Sequence, residues 1–138
     1  AYRAWGADIS PDDTPFEAGL SFAIDWGKNF IGRDALLDLR LNPLTKRLAI
    51  FVLQDPGAVL WGNEPIFRDG VPVGYTTSGA YGYTLGAAVG MGFIKHADGV
   101  DSAFFRNGRY EIETNGRLIP ATLSLRAPFD PDRKRILA

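Results

Sequence analysis

The side chains of this sequence with acid–base, metal-binding or nucleophilic potential are few and scattered. A single histidine, His96, lies beside Lys95 and Asp98 near the end of an apolar run, and cysteine is absent. A catalytic triad needs a nucleophile, a base and an orienting acid, and a zinc centre needs several Cys or His ligands. Neither set exists here, so His96 reads as a solvated loop residue rather than a general base. The neighbouring carboxylates Asp12 and Asp13 precede the start of a helical turn, where negative charge is favourable. Asp55, Asp69 and Asp130 each fall in turn contexts and need no further role. Catalysis by this chain alone is not expected.

Binding chemistry is better represented. The run from Gly74 to Gly86 passes from β-prone Tyr75, Thr76 and Thr77 into Ser78-Gly79-Ala80-Tyr81-Gly82-Tyr83-Thr84-Leu85-Gly86. This is backbone that bends or approaches another molecule closely. Glycines at 79, 82 and 86 invite a phosphate-cradling reading, but that needs a strand, a tight turn and a helix, followed by Lys-Ser/Thr in a P-loop. No such pair follows, and Gly90-Met91-Gly92 would break the helix. The glycines therefore read as bends between strands of a small barrel. Around them, Trp5, Phe22, Trp26, Trp61, Tyr75, Tyr81 and Tyr83 are more aromatic surface than such a barrel must hide. As a set they are suited to wall a flat heteroaromatic ligand.

The elements that must position these residues follow in order. Thr14-Pro15-Phe16-Glu17 supplies an N-cap, a first-turn proline and a capping-box glutamate, and Gly19 ends the turn. Ser21 to Trp26 alternates apolar and polar, which predicts a half-buried strand. Arg33 to Arg40 places Ala35, Leu36 and Leu39 on one helical face, and Asn42-Pro43 stops it. Arg47 to Leu53 is almost continuously apolar, the pattern of a core strand. Asp69-Gly70 predicts a hairpin between Ile66–Arg68 and Val71–Thr77, with Pro72 marking an edge. Ala87 to Ile94 follows as a strand, and Asp101 to Arg106 as a short capped helix stopped by Gly108. Asn115-Gly116 sets Ile112 opposite Ile119 and Tyr110 opposite Ala121. The chain is therefore mainly β: a six- to seven-stranded barrel, jelly-roll-like with Greek-key connections, after a short α/β lead-in.

The net charge of −1, with both signs mixed over 138 residues, fits an ordinary globular domain and gives no nucleic-acid footprint. No apolar run approaches membrane-spanning length. The absence of cysteine fits a reducing compartment.

Six blocks carry a resemblance. They are Tyr2-Arg3-Ala4-Trp5-Gly6-Ala7-Asp8-Ile9, Thr14 to Leu20, Phe30-Ile31-Gly32-Arg33-Asp34-Ala35-Leu36, Glu64-Pro65-Ile66-Phe67, Gly74 to Gly79, and Pro128-Phe129. In this order they resemble the C-terminal part of the aminomethyltransferase family. That family includes the glycine cleavage system T-protein and the folate-binding halves of dimethylglycine and sarcosine dehydrogenases; the Trp-Gly and Ser-Gly-Ala-Tyr-Gly-Tyr-Thr-Leu-Gly wording is most similar to the dehydrogenases.

The resemblance implies tetrahydrofolate-dependent one-carbon transfer by an intact protein whose three domains surround a central folate hole. Residues 1–44 would be the tail of the preceding folate-binding domain and residues 45–138 the C-terminal barrel domain. The family's acidic residue near the folate amine and its pterin-holding glutamate would lie upstream. So would any FAD domain. The chain alone is then expected to be inactive, to bind folate weakly or not at all, and to have the rest of its parent chain as partner, with neither nucleic acid nor membrane. Phe22 stands where the family places an aromatic near the ligand; Trp5, Trp61, Tyr81 and Tyr83 are further folate-wall candidates. Tyr81 and Tyr83 have no counterpart in the T-protein and so belong to the dehydrogenase branch or to packing. The implied location is cytoplasmic, or the mitochondrial matrix in a eukaryote. A regulatory subunit of the same fold is the alternative, since the family also holds a phosphatase-regulating member.

Overall fold

The computed structural model describes residues 2–135 and 137. Its elements are α1 (Arg33–Leu39), β1 (Lys46–Leu53), β2 (Pro65–Arg68), β3 (Val71–Gly82), β4 (Ala87–Lys95), α2 (Ser102–Asn107), β5 (Tyr110–Thr114) and β6 (Arg117–Ser124). The six strands close into an antiparallel barrel in the order β1-β4-β3-β2-β5-β6. Strands β2, β3 and β4 form a meander, and the long β1–β2 connection brings β1 back beside β4, which is a Greek key.

Local chemistry explains the hairpins. Asp69 and Gly70 take φ of 52° and 81°, and Asn115 and Gly116 take 52° and 71°. Two consecutive left-handed residues match the right-handed strand twist, and Asp-Gly and Asn-Gly adopt them at little steric cost. The second turn pairs Ile112 with Ile119 and Tyr110 with Ala121, as the alternation requires. Asp101 caps α2 by accepting the Phe104 amide at 2.7 Å.

The barrel is filled by Ala49, Phe51 and Leu53 of β1 together with Ile66, Ile94, Ile112 and Ile119. Leu60 closes one end against Gly79 and Gly90. Val100 and Phe105 close the other, beside the start of β1. A second apolar layer lies outside the barrel, where Leu48, Ile50 and Met91 are covered by Ile9 of the amino-terminal arm.

Two local expectations are corrected. Ser21 to Trp26 is not a strand: Ser21–Ala23 is one 3-10 turn, held by Ala23 N–H to Leu20 O at 2.9 Å and Ile24 N–H to Ser21 O at 3.3 Å. The alternation there serves separate loop contacts, Trp26 stacking on Phe16 at 6.4 Å while Phe22 stays exposed. Gly79 is not a bend either, but lies inside β3, where a Cβ would come within 2.5 Å of Leu60. Pro72 does lie at a local edge, where β3 pairs with Phe67 of β2 but has not yet met β4, whose pairing begins at Gly74. The helix α1 forms as the periodicity requires, and none of its residues is fully buried.

Candidate functional site: a cleft between arm and tail

On the outer face of β1 and β4, the arm and the carboxy-terminal tail leave a cleft of about 790 Å³, within the usual range for small-molecule sites. Ile50 and Val89 belong to its floor, Leu20 and Phe22 come from the arm, and Leu125 to Arg135 supply the opposite wall.

The arm is held by polar latches. Thr14 and Glu17 form the reciprocal capping box, with Thr14 N–H to Glu17 Oε2 at 2.8 Å and Glu17 N–H to Thr14 Oγ1 at 3.2 Å. Arg3 donates from Nε to Ala18 O at 2.8 Å, and Arg47 donates to Phe16 O, so two guanidiniums serve carbonyls at the end of that turn. Asp8 is buried, yet both its oxygens have partners: Ala4 N–H at 2.9 Å and the Thr77 hydroxyl at 2.6 Å. Thr77 is the residue where β3 slips register against β4, so the irregularity in the strand receives the arm. Replacing Thr77 with valine should leave Asp8 short of a donor and cost about 2 kcal/mol. Equal denaturation midpoints for variant and parent would contradict this.

The fourth latch is Lys46 Nζ on Asp13 Oδ1 at 2.7 Å. Burial alone would raise the Asp13 carboxyl, but Lys46 and the Ser10 amide hold it below the ordinary carboxylate range. A folded pKa below the unfolded one means that this contribution is complete above the unfolded value, near 4. It is lost as pH falls through the lower folded value. Below about pH 4, amide-exchange protection of residues 4–18 should therefore decline ahead of the barrel strands, and Asp13→Asn should already show that decline at neutral pH. Simultaneous loss in arm and barrel would contradict the latch.

The tail is shaped by Asp130, whose φ is 49° and whose carboxylate accepts the Arg135 amide at 3.0 Å, while its carbonyl accepts the Arg133 amide, also at 3.0 Å. The resulting turn brings Arg133 over the Phe22 ring at 4.8 Å and Arg135 over Phe129 at 5.2 Å. Arg3 and Arg126 also line the cleft, and among the described residues Asp130 is its one lining carboxylate. Among the described residues, Arg126, Arg133 and Arg135 make no salt bridge. Burial lowers the Arg3 guanidinium from its ordinary value, and proximity to Arg133 adds to this against the attraction of Asp8. The arrangement offers an aromatic surface next to several guanidiniums, suited to a flat ligand with an anionic end.

Of the sequence-derived candidates, Phe22 alone lines this cleft. Trp5 lies at the base of the arm and Trp61 in the β1–β2 loop, both largely exposed. Tyr81 and Tyr83 pack edge to face at 5.2 Å where β3 turns toward β4. The structure does not gather these four with Phe22. The arginines escaped the sequence reading. The signal available for Arg133 and Arg135 is their position just after the turn-forming Pro128-Phe129-Asp130-Pro131.

His96 is exposed and rests on Phe104 at 4.7 Å, outside the cleft. Glu64 is buried but engaged by the Trp61 and Gly62 amides and the Thr76 hydroxyl, which makes it a loop anchor. Among the described residues no cluster of three or more His, Cys, Asp or Glu could hold a metal ion, and no helix is long and apolar enough to cross a membrane.

A closed Greek-key barrel with an aromatic, arginine-rich cleft on its outer wall is the class of domain that fold and site define. Residues 46–130 match the glycine cleavage T-protein C-terminal barrel domain, and the chain belongs to that family. It is 37% identical over 98% of its length to mitochondrial sarcosine dehydrogenase of Mus musculus, of which it spans 15%. It is 38% identical over 90% of its length to the mitochondrial pyruvate dehydrogenase phosphatase regulatory subunit of the same organism, spanning 16%. The solved glycine cleavage system aminomethyltransferase T from Bartonella henselae superposes with a TM-score of 0.68 at 25% identity, covering 87% of this chain and 33% of that one.

Proposed function

We propose that this chain is the C-terminal part of a tetrahydrofolate-dependent one-carbon transfer enzyme, of the aminomethyltransferase or dimethylglycine/sarcosine dehydrogenase type, and contributes one wall of the folate cavity. In this reading residues 1–44 are the tail of the preceding folate-binding domain and residues 45–138 the barrel domain. The rest of the parent chain, including any FAD domain, is the partner. The observation that carries the reading is Phe22 set beside guanidiniums that make no salt bridge among the described residues, since folate joins flat rings to a carboxylate-bearing tail.

One wall cannot enclose a ligand. Tetrahydrofolate should therefore bind the chain weakly, with Kd on the order of 1 mM, and Phe22→Ala should weaken it about fivefold through loss of aromatic contact. Titration calorimetry showing tight stoichiometric binding would refute the partial-wall reading, and binding indifferent to Phe22→Ala would move the ligand elsewhere. The similarity to a phosphatase regulatory subunit supports a second reading, a non-catalytic subunit of the same fold. Folate transfer activity in the intact parent decides between them.

A further inference from the structure

We infer that Met91 is a peroxide-sensitive modification site guarded by the amino-terminal arm, and that its sulfoxide holds the arm off the barrel. The inference is independent of what the cleft binds.

Met91 is the only methionine of the chain. On the outer face of β4 it stands opposite Ile50 of β1 and Ser78 of β3, inside the second apolar layer with Leu48, and only 8% of it is exposed. That layer lies outside the barrel, so part of its cover comes from Ile9 of the arm and not from the strands. The arm is tied down at the same spot. Asp8, the residue before Ile9, accepts the Thr77 hydroxyl at 2.6 Å, and that hydroxyl oxygen lies 3.2 Å from the Met91 carbonyl. Lifting Ile9 therefore breaks the Asp8 latch and uncovers the thioether together.

A thioether is a soft group that fills an apolar gap, whereas a sulfoxide is polar. The Met91 sulfur gives an electron pair to one oxygen of hydrogen peroxide. The S–O bond forms as the O–O bond breaks, and the displaced hydroxide takes a proton to leave as water. Sulfur loses two electrons and the peroxide gains them. The new oxygen needs a donor, and the side chains of the layer, Leu48, Ile50, Ile9, Val89 and Phe93, carry none. Burying it unpaired shifts the arm from closed toward open by about ten- to hundredfold. The Thr77 hydroxyl is the neighbouring donor, and it can serve the sulfoxide only by leaving Asp8, which also frees the arm. Ile9 lines the cleft as well, so oxidation opens the cleft on its arm side.

The test treats the whole chain with hydrogen peroxide and follows Met91 by peptide mass, with amide exchange before and after. Parent Met91 should oxidise at least about a hundredfold more slowly than the same residue in the urea-unfolded chain, since attack follows the open population. Thr77→Val should raise the rate about thirtyfold, the loss of one hydrogen bond to a charged group read as an equilibrium ratio. Asp13→Asn, which unties Lys46, should raise it about threefold. Asp101→Ala removes the α2 cap, which touches neither latch, and should lower global stability while leaving the rate unchanged. After oxidation, exchange protection should fall across residues 4–13 and persist in β2 and β5. A methionine sulfoxide reductase should restore it, and peroxide-treated Met91→Leu should show no change.

Oxidation of the parent at the unfolded-chain rate, equal acceleration by Asp101→Ala and Thr77→Val, or arm protection unchanged after complete oxidation would overturn the inference. So would protection lost alike in the arm and in β2 and β5, because the sulfoxide would then destabilise the whole domain rather than release the arm.

Discussion

Substituting valine for Gly92 should prevent the barrel from closing. Gly92 lies in β4 between Ala49 of β1 and Thr76 of β3. A Cβ there would stand 2.5 Å from the Tyr75 carbonyl, 2.8 Å from Ile66 Cδ1 and 2.9 Å from Thr76 Cα. Two of these are backbone atoms in a neighbouring strand. In a closed barrel β3 cannot retreat without breaking its ladders to both β4 and β2, so the usual overpacking cost of about 1–3 kcal/mol is a lower bound. We expect a loss of at least roughly 4 kcal/mol, enough to unfold a domain of ordinary stability. Gly86 is the matched control. Its φ is 66°, but a Cβ there meets nothing within 4 Å, so Gly86→Ala should cost only about 1–2 kcal/mol of backbone strain. Chemical denaturation of the two variants checks this, and comparable midpoints would contradict the packing argument.

Glu64→Ala should produce the second large loss. The Glu64 carboxylate accepts the Trp61 amide at 2.6 Å, the Gly62 amide at 3.0 Å and the Thr76 hydroxyl, while the Thr76 oxygen accepts the Glu64 amide at 3.0 Å. Removing the acceptor strands two amides and a fully buried hydroxyl at once. Hydrogen bonds to charged groups are worth about 1.5–3 kcal/mol each. Water replaces some of those near the exposed Trp61, so we expect about 3 kcal/mol in total. Burial opposes ionisation of Glu64, but the Thr76 hydroxyl and surrounding amides outweigh it and hold the carboxyl below its ordinary value. Its contribution is therefore complete above the unfolded pKa, near 4.3, and disappears as pH falls through the lower folded one. The stability gap between parent and Glu64→Ala should accordingly narrow in acid. A gap that stayed constant from neutral pH to pH 2 would show that the charge contributes nothing.

Neither the tight seat of Gly92 nor the anchoring role of Glu64 is legible in the sequence, because both depend on distant partners. Wherever a local rule had one solution, the chain obeyed it. Asp-Gly and Asn-Gly made their hairpins, the Thr14–Glu17 box closed, and the apolar run of β1 became the strand on which both hydrophobic layers rest. What stayed hidden depended on partners distant in sequence. Nothing near Gly79 shows that Leu60 will lie against it, so close approach looked like a bend. Ser21 to Trp26 has strand alternation but no strand beside it to pair with, and local 3-10 bonding won. In the cleft, Phe22 is a candidate both as one of the aromatic set and through the resemblance, whereas Arg133 and Arg135 gain their place from the Asp130 turn that sets them beside the arm. Trp5, Trp61, Tyr81 and Tyr83 are exposed, but they do not share Phe22's cleft.

The most direct measurement is an amide chemical-shift titration of the chain with tetrahydrofolate. The folate-wall account predicts a weak, saturable response concentrated in Gly19 to Phe22 and Leu125 to Arg135. Shifts centred instead on Trp61 or on the Tyr81–Tyr83 turn, or no response at millimolar ligand, would contradict it.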